Sequence, residues 1–359
     1  MFQINGKYNT AKVYAGSIDS QCLSQIIELC SQEWIKDSNI AIMADCHAGK
    51  GCVIGFTATI KDKICPNLVG TDIGCGMLTV ELGNIDIDFT KLDNYLRGNV
   101  NGMQKDTNFD FTALRCYPHL NLERASKYTG TLGSGNHFIE IDRDEENNKY
   151  LIIHSGSRDL GQQVCRYYQN IAEEKCKDKN VDNGLAYLEG TDMEDYIHDL
   201  VICQMYAEVN RKLIAIPIMK LLLGNKLPIS MFHTIHNYYD ADKHIIRKGA
   251  ISADENELVL IPMNMRDGCI LAKGKGNPDY NYSAPHGAGR KYSRSEAKES
   301  ITLEEFQKSM EGIFTTCVNN KRIDESPMAY KPMEEILESI EDTVDIVKIL
   351  KPIYNYKAR

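Results

Sequence analysis

Short apolar runs, mostly bounded by glycine, make the first half of the chain rich in predicted strands. Residues 39–43, 52–59 and 77–82 consist largely of apolar or β-branched side chains, the composition that strands favour. Residues 138–142 and 150–154 form another pair of such runs around a polar segment, a pattern typical of a β-hairpin. The hydrophobic pattern therefore predicts sheet in the first half, with at least one hairpin.

Helical periodicity marks three further segments, residues 17–34, 159–177 and 193–215. The third is the clearest, because one face carries an apolar stripe that predicts packing against the core: Ile197, Leu200, Val201, Met205, Val209 and Leu213. Thr302 and Glu305 have the spacing of a capping box, which predicts the start of a helix. Pro332 suits the first turn of another helix.

Composition places the chain among ordinary globular proteins. Its 359 residues are 43% hydrophobic and 25% charged, and no internal repeat or linker divides them, so we expect one domain over residues 1–359. The longest apolar stretch, residues 213–219, is too short to cross a bilayer, and the first residues lack a signal core. The twelve cysteines include no CxxC pair, which favours reduced thiols. We therefore expect a cytoplasmic protein with no membrane partner.

Charge is distributed unevenly along the chain. The formal net charge of −9 argues against indiscriminate binding to nucleic acid. Residues 266–298, however, contain seven Lys or Arg against three acids. A local basic surface of this kind fits a phosphate site, and a solvated loop face is the alternative.

Candidate chemistry is concentrated in glycine-, asparagine- or arginine-containing turns that carry His137, His154, His236 and His286. A further turn places a carboxylate, Asp72, three residues before a thiol, Cys75, among glycines. Imidazole, carboxylate and thiolate are ligands for borderline transition metals. A thiolate can bridge two metals, so these groups other than His286 suffice for a two-metal site that acts on phosphates, with Mn²⁺, Zn²⁺ or Fe²⁺ as candidates.

His286 differs from the other histidines because it follows a proline and precedes Gly287-Ala288-Gly289-Arg290. That setting suits a nucleophilic imidazole that attacks phosphorus, with backbone amides and a guanidinium near the developing charge. A hydrogen-bonded loop histidine is the alternative interpretation.

Six blocks together resemble the RtcB family of RNA ligases, in the family's order. They are Met-Ala-Asp-Cys-His-Ala-Gly-Lys-Gly at 43–51, Val-Gly-Thr-Asp-Ile-Gly-Cys-Gly-Met at 69–77, Gly-Ser-Gly-Asn-His-Phe-Ile-Glu at 133–140, His-Ser-Gly-Ser-Arg at 154–158, Lys-Gly-Lys-Gly-Asn-Pro at 273–278 and His-Gly-Ala-Gly-Arg at 286–290. The resemblance implies an α/β fold of the α+β type, a single domain with stacked, largely antiparallel sheets flanked by helices. It also implies a GTP- and Mn²⁺-dependent ligase that joins an RNA 3′-phosphate or 2′,3′-cyclic phosphate to a 5′-hydroxyl.

Roles carry over from the resemblance motif by motif. It implies that two Mn²⁺ ions are held, with Cys75 between them, by Asp72, Cys75, His137, His154 and His236. His286 becomes the guanylylated histidine, and Asp45 occupies the position that handles the proton of the 5′-hydroxyl. The implied GTP contacts are Asn136, Phe138, Glu140, Asn237, Pro262, Met265, Gly287, Ala288, Gly289 and Lys357.

Four basic residues are candidates for binding RNA phosphates: Arg158, Arg290, Lys273 and Lys275. Arginine pairs with phosphate through two parallel hydrogen bonds, which makes it well suited to this role. Either arginine could instead anchor its own loop. The sequence does not indicate an activating protein.

The chain departs from the family pattern at three points. Residues 283–285 read Ser-Ala-Pro where many members carry a polar triplet, and residues 262–265 read Pro-Met-Asn-Met in place of Pro-Gly-Ser-Met. The chain is also shorter than typical members, which indicates trimmed RNA-facing insertions. We therefore expect a divergent branch that repairs damaged RNA, with tRNA splicing as the alternative.

Two other functions compete with ligation. One is a metal-dependent phosphoesterase that opens cyclic phosphates without joining ends, and the other is a non-catalytic protein that binds RNA ends. His286 and Lys357 count against the phosphoesterase, which needs neither, and the full ligand set counts against the non-catalytic binder.

Overall fold

Strands supply most of the framework in the computed structural model, which describes residues 1–100 and 109–357. In chain order the strands are β1 (Phe2–Asn5), β2 (Thr10–Val13), β3 (Ile40–His47), β4 (Ile54–Thr59), β5 (Lys63–Ile64), β6 (Gly76–Gly83), β7 (Phe138–Arg143), β8 (Lys149–Ser155), β9 (Leu188–Glu189), β10 (Ser230–Ile235), β11 (Asn237–Asp240), β12 (Ile245–Lys248), β13 (Ala250–Ser252), β14 (Leu258–Asn264), β15 (Gly268–Gly274), β16 (Ser283–Pro285), β17 (Phe314–Thr315) and β18 (Val344–Lys357). The helices are α1 (Ser20–Cys30), α2 (Phe89–Asn99), α3 (Leu122–Lys127), α4 (Arg158–Cys176), α5 (Gly190–Leu223), α6 (Arg294–Ser300), α7 (Leu303–Ser309) and α8 (Met333–Ile340).

Two large sheets dominate the topology. The first has the order β1-β2-β3-β4-β12-β11, and the second has the order β10-β6-β8-β7-β18-β15-β14, with β17 beside β18. Neighbours in these two sheets run antiparallel, apart from the parallel pairs β2–β3 and β17–β18. The predicted fold class is confirmed: α/β, with largely antiparallel sheets and flanking helices.

Both faces of the second sheet are buried. Successive side chains of a strand point to opposite faces, so each strand contributes to the packing on both sides. On one face, Leu78 and Val80 of β6 pack in a cluster with Leu92 of α2 and Ile214 of α5. On the other face, a separate cluster contains Met77 of β6 together with Phe138, Ile152, Leu260 and Cys269. This second cluster adjoins the side on which the candidate ligands lie.

The first sheet is covered by three helices. Ile42 of β3 and Phe56 of β4 belong to one cluster with Ile26 of α1, Val164 of α4 and Leu200 of α5. Helix α5 therefore contributes to the cores of both sheets. No helix in residues 1–100 and 109–357 has the length and apolar composition that crossing a membrane requires.

The strand predictions and two of the helix predictions are confirmed with small shifts at the ends. The predicted hairpin is the β7–β8 pair, and the predicted helices at 17–34 and 159–177 correspond to α1 and α4. The capping box formed by Thr302 and Glu305 opens α7. Pro332 is the N-cap residue before α8, one position earlier than the predicted first turn.

The predicted helix over 193–215 is confirmed within the longer α5, but its apolar stripe is a core face only in part, since Leu200 is fully buried. Met205 is 58% exposed, and the fully buried side of α5 instead includes Tyr196, Cys203, Asn210 and Arg211. Hydrophobic periodicity missed this side because buried polar residues of α5 bond to neighbouring loops. The helix also continues through Pro217, since packing on both sides of that residue outweighs one lost backbone hydrogen bond.

Candidate active site

The turn before β6 presents the first two candidate ligands, Asp72 and Cys75. The amide of Cys75 donates to the Asp72 carbonyl over 3.1 Å, which closes a tight turn. Gly74 allows α5 to approach this turn, because its φ is +71° and a Cβ there would lie 2.9 Å from the Ala207 side chain. A Cβ on Gly156 would lie 2.2 Å from Oδ1 of Asp72. The turn that carries Asp72 and Cys75 therefore requires glycine at positions 74 and 156.

The three candidate imidazole ligands come from neighbouring strands of the second sheet. His137 directly precedes β7, His154 lies within β8, and His236 lies between β10 and β11. The amide of His236 donates to the Cys75 carbonyl over 2.9 Å, which fixes the end of β10 against the start of β6. The order of the strands in the sheet therefore brings ligands that are far apart in the sequence close together in space.

These five side chains form two groups that share one thiol. Cys75, His154 and His236 make up the first group, and Asp72, Cys75 and His137 make up the second. Cys75 Sγ lies 3.3 Å from His154 Nε2 and 3.4 Å from His137 Nε2. His154 Nε2 lies 3.1 Å from His236 Nε2, and His137 Nε2 lies 3.0 Å from Asp72 Oδ2. The sequence prediction that these residues converge is met, with Cys75 between the two groups.

Backbone carbonyls orient two of the imidazoles. His137 Nδ1 lies 2.8 Å from the Leu132 carbonyl, and His154 Nδ1 lies 3.3 Å from the Asn136 carbonyl. A carbonyl only accepts hydrogen bonds, so Nδ1 donates in both cases. Each Nε2 is left with a lone pair that points towards Cys75, the arrangement that metal-binding histidines need.

The protonation chemistry of the cluster fits divalent cations. Burial lowers the pKa of His154 and of His236 well below the ordinary value, and burial together with Asp72 raises the pKa of the Cys75 thiol. Although burial acts to raise it, the pKa of Asp72 falls to about 2 because of His137 and Arg158. Neutral imidazoles and an anionic carboxylate are ligand-ready, and a bound cation stabilises the thiolate.

Each group also leaves room for further ligands. Three protein donors per ion are typical of catalytic sites, where the remaining positions take substrate or water. Oδ1 of Asp72 is buried and has no hydrogen-bond partner among the described residues. The residues present therefore fit two divalent ions that share the Cys75 sulfur.

His286 lies beside the first group and is fixed by Asp45 of β3. Oδ2 of the fully buried Asp45 lies 2.5 Å from His286 Nδ1 and accepts from the amides of His286 and Gly287 at 2.9 and 3.3 Å. The His286 ring centroid is 4.8 Å from that of His236. Because Nδ1 faces the carboxylate, Nε2 is the ring nitrogen left for chemistry.

A cavity of about 1070 Å³ adjoins this cluster. All ten predicted GTP-contacting residues line it, together with His286 and four of the five metal-ligand candidates: Asn136, Phe138, Glu140, Asn237, Pro262, Met265, Gly287, Ala288, Gly289, Lys357, Asp72, Cys75, His154 and His236. His137 lies behind them, and Asp45 lies behind His286. The altered turn also lines the cavity, where the Pro262 carbonyl accepts from the Ala288 amide over 3.2 Å.

Lys357 is anchored by a residue that the sequence did not single out. Its Nζ lies 2.9 Å from Glu325, 3.5 Å from the Asn136 carbonyl and 5.2 Å from the centre of the Phe138 ring. Lys357 and Glu325 are both buried. The ion pair holds an ammonium group at one end of the cavity, where a phosphate or a ribose hydroxyl can approach it.

The two candidate arginines are engaged within the protein. Arg290 donates to the backbone carbonyls of Tyr292 and Asp324, over 3.0 and 2.5 Å, which anchors its loop. Arg158 Nη1 lies 3.2 Å from His137 Nδ1, and its guanidinium sits where a Cβ on Gly133 would fall. Arg290 lines the cavity, and Arg158 reaches the site through His137.

The basic segment divides into two parts. Arg290, Lys291 and Arg294 line the cavity, in agreement with a phosphate site. Lys273 is exposed on β15, and Lys275 pairs with Asp345 at 3.1 Å and donates to the Glu341 carbonyl. Neither of these lysines is among the cavity-lining residues. Their contact with RNA phosphates remains a prediction that the cavity does not support.

Lys248 and Asn355 line the cavity but were missed in the sequence. Lys248 is buried, and its Nζ donates to the carbonyls of Lys50 and Cys52 over 2.5 and 3.0 Å. It follows an ordinary strand pattern, so no local signal marked it. His47, which belongs to the family-like block at 43–51, also lines the cavity, and its Nδ1 lies 2.9 Å from the Asp45 carbonyl.

Comparisons with known proteins agree with this geometry. The profile of the family described as "tRNA-splicing ligase RtcB" matches residues 25–110 and 93–358. The chain is 28% identical to the RNA-splicing ligase RtcB of Escherichia coli strain K12, over 94% of each chain. It is 26% identical to the tRNA-splicing ligase RtcB of Nanoarchaeum equitans over 83% of each chain, and 26% identical to that of Methanococcus maripaludis over 93% of this chain and 90% of the relative.

Proposed function

Because the chain belongs to the RtcB family of RNA ligases, we propose that it is a GTP- and Mn²⁺-dependent ligase that works through a guanylylated histidine. It joins an RNA 3′-phosphate or 2′,3′-cyclic phosphate to a 5′-hydroxyl. The observation that carries this proposal is the sharing of Cys75 by two ligand groups, one of which lies against His286. Asp45 holds Nδ1 of this histidine, so its Nε2 is left free beside the metal-ligand candidates, as a nucleophile requires.

The proposed metal ligands are Cys75, His154 and His236 for one ion, and Asp72, Cys75 and His137 for the other. Two divalent ions held by these residues would supply charge neutralisation and orientation of phosphate oxygens. The choice of Mn²⁺ follows from the family, and the mixed hard and soft donors are compatible with it.

His286 is the proposed nucleophile. Its Nε2 attacks the α-phosphorus of GTP, so that an N–P bond forms while the P–O bond to pyrophosphate breaks. Asp45 holds Nδ1 and thereby presents the lone pair of Nε2. The ammonium group of Lys357 and the side chain of Asn136 lie in the same cavity, where they can contact the nucleotide.

Two transfers complete the reaction. An oxygen of the RNA 3′-phosphate takes the guanylyl group, with formation of a P–O bond and cleavage of the N–P bond. The 5′-hydroxyl oxygen then attacks the activated 3′-phosphorus, and GMP leaves. A cyclic phosphate is first opened by water. The role of Asp45 in accepting the hydroxyl proton stays a prediction, since its carboxylate is bonded to His286 and lies outside the cavity lining.

The test is covalent labelling with GTP that carries a radiolabel on its α-phosphate. The wild-type protein with Mn²⁺ should yield an acid-labile labelled band on a denaturing gel, and the His286→Ala variant should yield none. His119→Ala, which alters a histidine stacked on Tyr167 outside the cavity lining, is the matched control and should label normally. Absence of label on the wild type would contradict the proposal.

The competing phosphoesterase gives a different pattern with an RNA substrate. It would open the 2′,3′-cyclic phosphate without joining ends, and it would do so equally well with or without GTP. A ligase requires GTP to form a longer RNA. The comparison of product lengths with and without GTP therefore separates the two functions.

A further inference from the structure

Glu140 and Asp142 form a buried pair of carboxyl groups at one end of the cavity. They lie two residues apart in β7, so their side chains are on the same face of the sheet. Glu140 is 2% exposed and Asp142 is fully buried. Together with the thiol of Cys269, they place one polar atom each within 4.8 Å of the others. Glu140 lines the cavity, and Asp142 lies behind it.

The two carboxyl groups differ in the donors that reach them. Asn355, opposite Glu140 in β18, donates its side-chain amide to that carboxylate, and the Cys269 thiol lies 3.9 Å away. Neither oxygen of Asp142 has a hydrogen-bond partner at normal distance within the described part of the chain. The nearby Cys269 thiol is the donor that acts to lower the pKa of Asp142. The neighbours of Asp142 are instead the Glu140 carboxylate and the Cys269 sulfur.

No nearby cation is left to neutralise Asp142 among residues 1–100 and 109–357. The Lys357 ammonium is bonded to Glu325, although its charge reaches Glu140. Lys348 and the hydroxyl of Tyr150, which lies opposite Asp142 in β8, are both bonded to Asp144.

Two adjacent carboxylates cannot both remain ionised in such a dry environment, since the repulsion between them adds to the desolvation cost of each. One proton held between them removes most of that cost. Asp142 is the better holder because Glu140 has the Asn355 amide and the field of Lys357. In agreement with this, burial and the neighbouring Glu140 raise the pKa of Asp142 well above its ordinary value.

We propose that Asp142 keeps this proton, donates it to Glu140, and so positions Glu140 as the anion that selects the nucleobase. The inference rests on the proposed function, since it takes the cavity to be the nucleotide site. Oδ1 of Asn355 is also buried without a partner in the described residues, so it and Glu140 both offer acceptors. Guanine presents adjacent N–H donors on its pairing edge, whereas adenine presents an acceptor at the corresponding ring nitrogen, so this subsite favours guanine.

The first test concerns the proton itself. Infrared spectroscopy of the full chain at neutral pH should show the carbonyl stretch of a protonated carboxylic acid, which disappears in Asp142→Asn. Asp144→Asn is the matched control, because it removes a buried carboxylate that lies just after β7 and is bonded to Lys348. The stretch should persist in that control. A wild-type spectrum without the stretch overturns the proposal, as does a third bound metal ion that needs Asp142.

The second test concerns nucleobase choice, with GMP and AMP as probes in the presence of Mn²⁺. The Kd for AMP divided by the Kd for GMP measures the preference for guanine. This ratio should fall by about tenfold in Asp142→Leu, which lacks a donor. It should stay within about threefold of the wild-type ratio in Asp142→Asn, whose amide still donates. A merely structural role would make both variants lose affinity for the two nucleotides alike. An unchanged ratio in Asp142→Leu would overturn the positioning role.

The two tests separate this inference from the proposed function. If the wild type binds AMP as well as GMP, the assignment of guanine fails and the positioning role fails with it, while the infrared band still decides whether the pair holds a proton. If His286 labels with GTP but Asp142→Leu keeps full discrimination, the ligase stands and this inference alone is wrong.

Discussion

At the scale of single residues, Cys75 is the residue on which both ligand groups depend. Its sulfur lies within 3.4 Å of imidazole nitrogens from both ligand groups, and among the described residues no other side chain belongs to both. His137 and His154 each belong to only one group. Loss of the thiolate therefore affects both ions, whereas loss of one imidazole affects one.

Metal binding provides a residue-scale prediction. In a titration followed by calorimetry or mass spectrometry, Cys75→Ser should weaken both Mn²⁺ sites by at least about 10–100-fold, while His137→Ala and His154→Ala should each weaken one. Cys176→Ser, which alters a buried thiol outside both groups, should keep two full-affinity sites. If Cys75→Ser retained one site unchanged, the shared-thiol arrangement would be excluded.

Asp45 provides a second prediction at this scale. Asp45→Asn keeps the shape of the side chain but replaces the carboxylate that fixes His286 Nδ1 with a neutral amide that can also donate, so the wrong tautomer becomes populated. The single-turnover rate of guanylylation should fall by about 10²–10⁴-fold, with little change in the Kd for GTP. A fall confined to GTP affinity would argue against a role in orienting His286.

At the scale of elements, helix α5 holds the loops that carry the ligands. Asn210 Nδ2 donates to the carbonyls of Thr131 and Gly156 and to the Ser155 hydroxyl over 3.1–3.3 Å, and its Oδ1 accepts from the Gly130 amide over 2.7 Å. The adjacent Arg211 donates to the carbonyls of Gly74 and Ser155. These buried polar contacts explain why the inward face of α5 is not its most apolar face.

Asn210→Ala tests this function of the helix. The change leaves several buried polar groups without partners, so the free energy of unfolding should fall by about 1–3 kcal/mol, and Mn²⁺ affinity should fall with it. Urea denaturation and metal titration provide the two measurements. Met205→Ala, on the exposed face of the same helix, should change stability by less than about 0.5 kcal/mol. Equal effects of the two substitutions would refute this role.

The element scale also shows how far sequence patterns reach. Apolar and β-branched runs predicted β7 and β8 because this signal lies within each segment itself. The glycine-containing turns likewise marked Asp72, Cys75 and His286. The inward face of α5 escaped prediction because Asn210 and Arg211 are buried through bonds to distant loops. Hydrophobic periodicity reports only the spacing of apolar residues, so it gives no sign of polar residues that are buried by hydrogen bonds to distant loops.

At the scale of the whole molecule, the C-terminal strand β18 supplies one wall of the cavity. β18 lies between β7 and β15, and it brings Asn355 and Lys357 to a cavity whose other walls come from distant segments. Glu325 joins this strand to α6, because it accepts from Lys357 and from Arg294. The family resemblance marked Lys357, but its partner Glu325 has no local signature in the sequence and only the tertiary fold reveals it.

The contacts of Glu325 with Lys357 and Arg294 predict that the stability of the fold falls at acid pH. Although burial acts to raise it, the charges of Lys357 and Arg294 lower the pKa of Glu325 from 4.5 to about 2. A depressed pKa means that Glu325 stabilises the fold fully above pH 4.5 and that this contribution is lost as the pH falls towards about 2. Glu325→Gln should therefore cost on the order of 2–3 kcal/mol near neutral pH, and the difference from wild type should shrink below about pH 4.5. Denaturant unfolding across this pH range checks it, and a pH-independent difference would contradict it.

The central claim joins both halves of the site, the metal pair at Cys75 and the nucleophile His286. A crystal structure of the protein grown with Mn²⁺ and GTP, with anomalous scattering from manganese, tests both at once. We expect two manganese peaks about 3.5–4 Å apart on either side of the Cys75 sulfur, with continuous density from His286 Nε2 to a guanylate phosphorus. A single peak away from Cys75, or intact GTP with no bond to His286, would contradict the account.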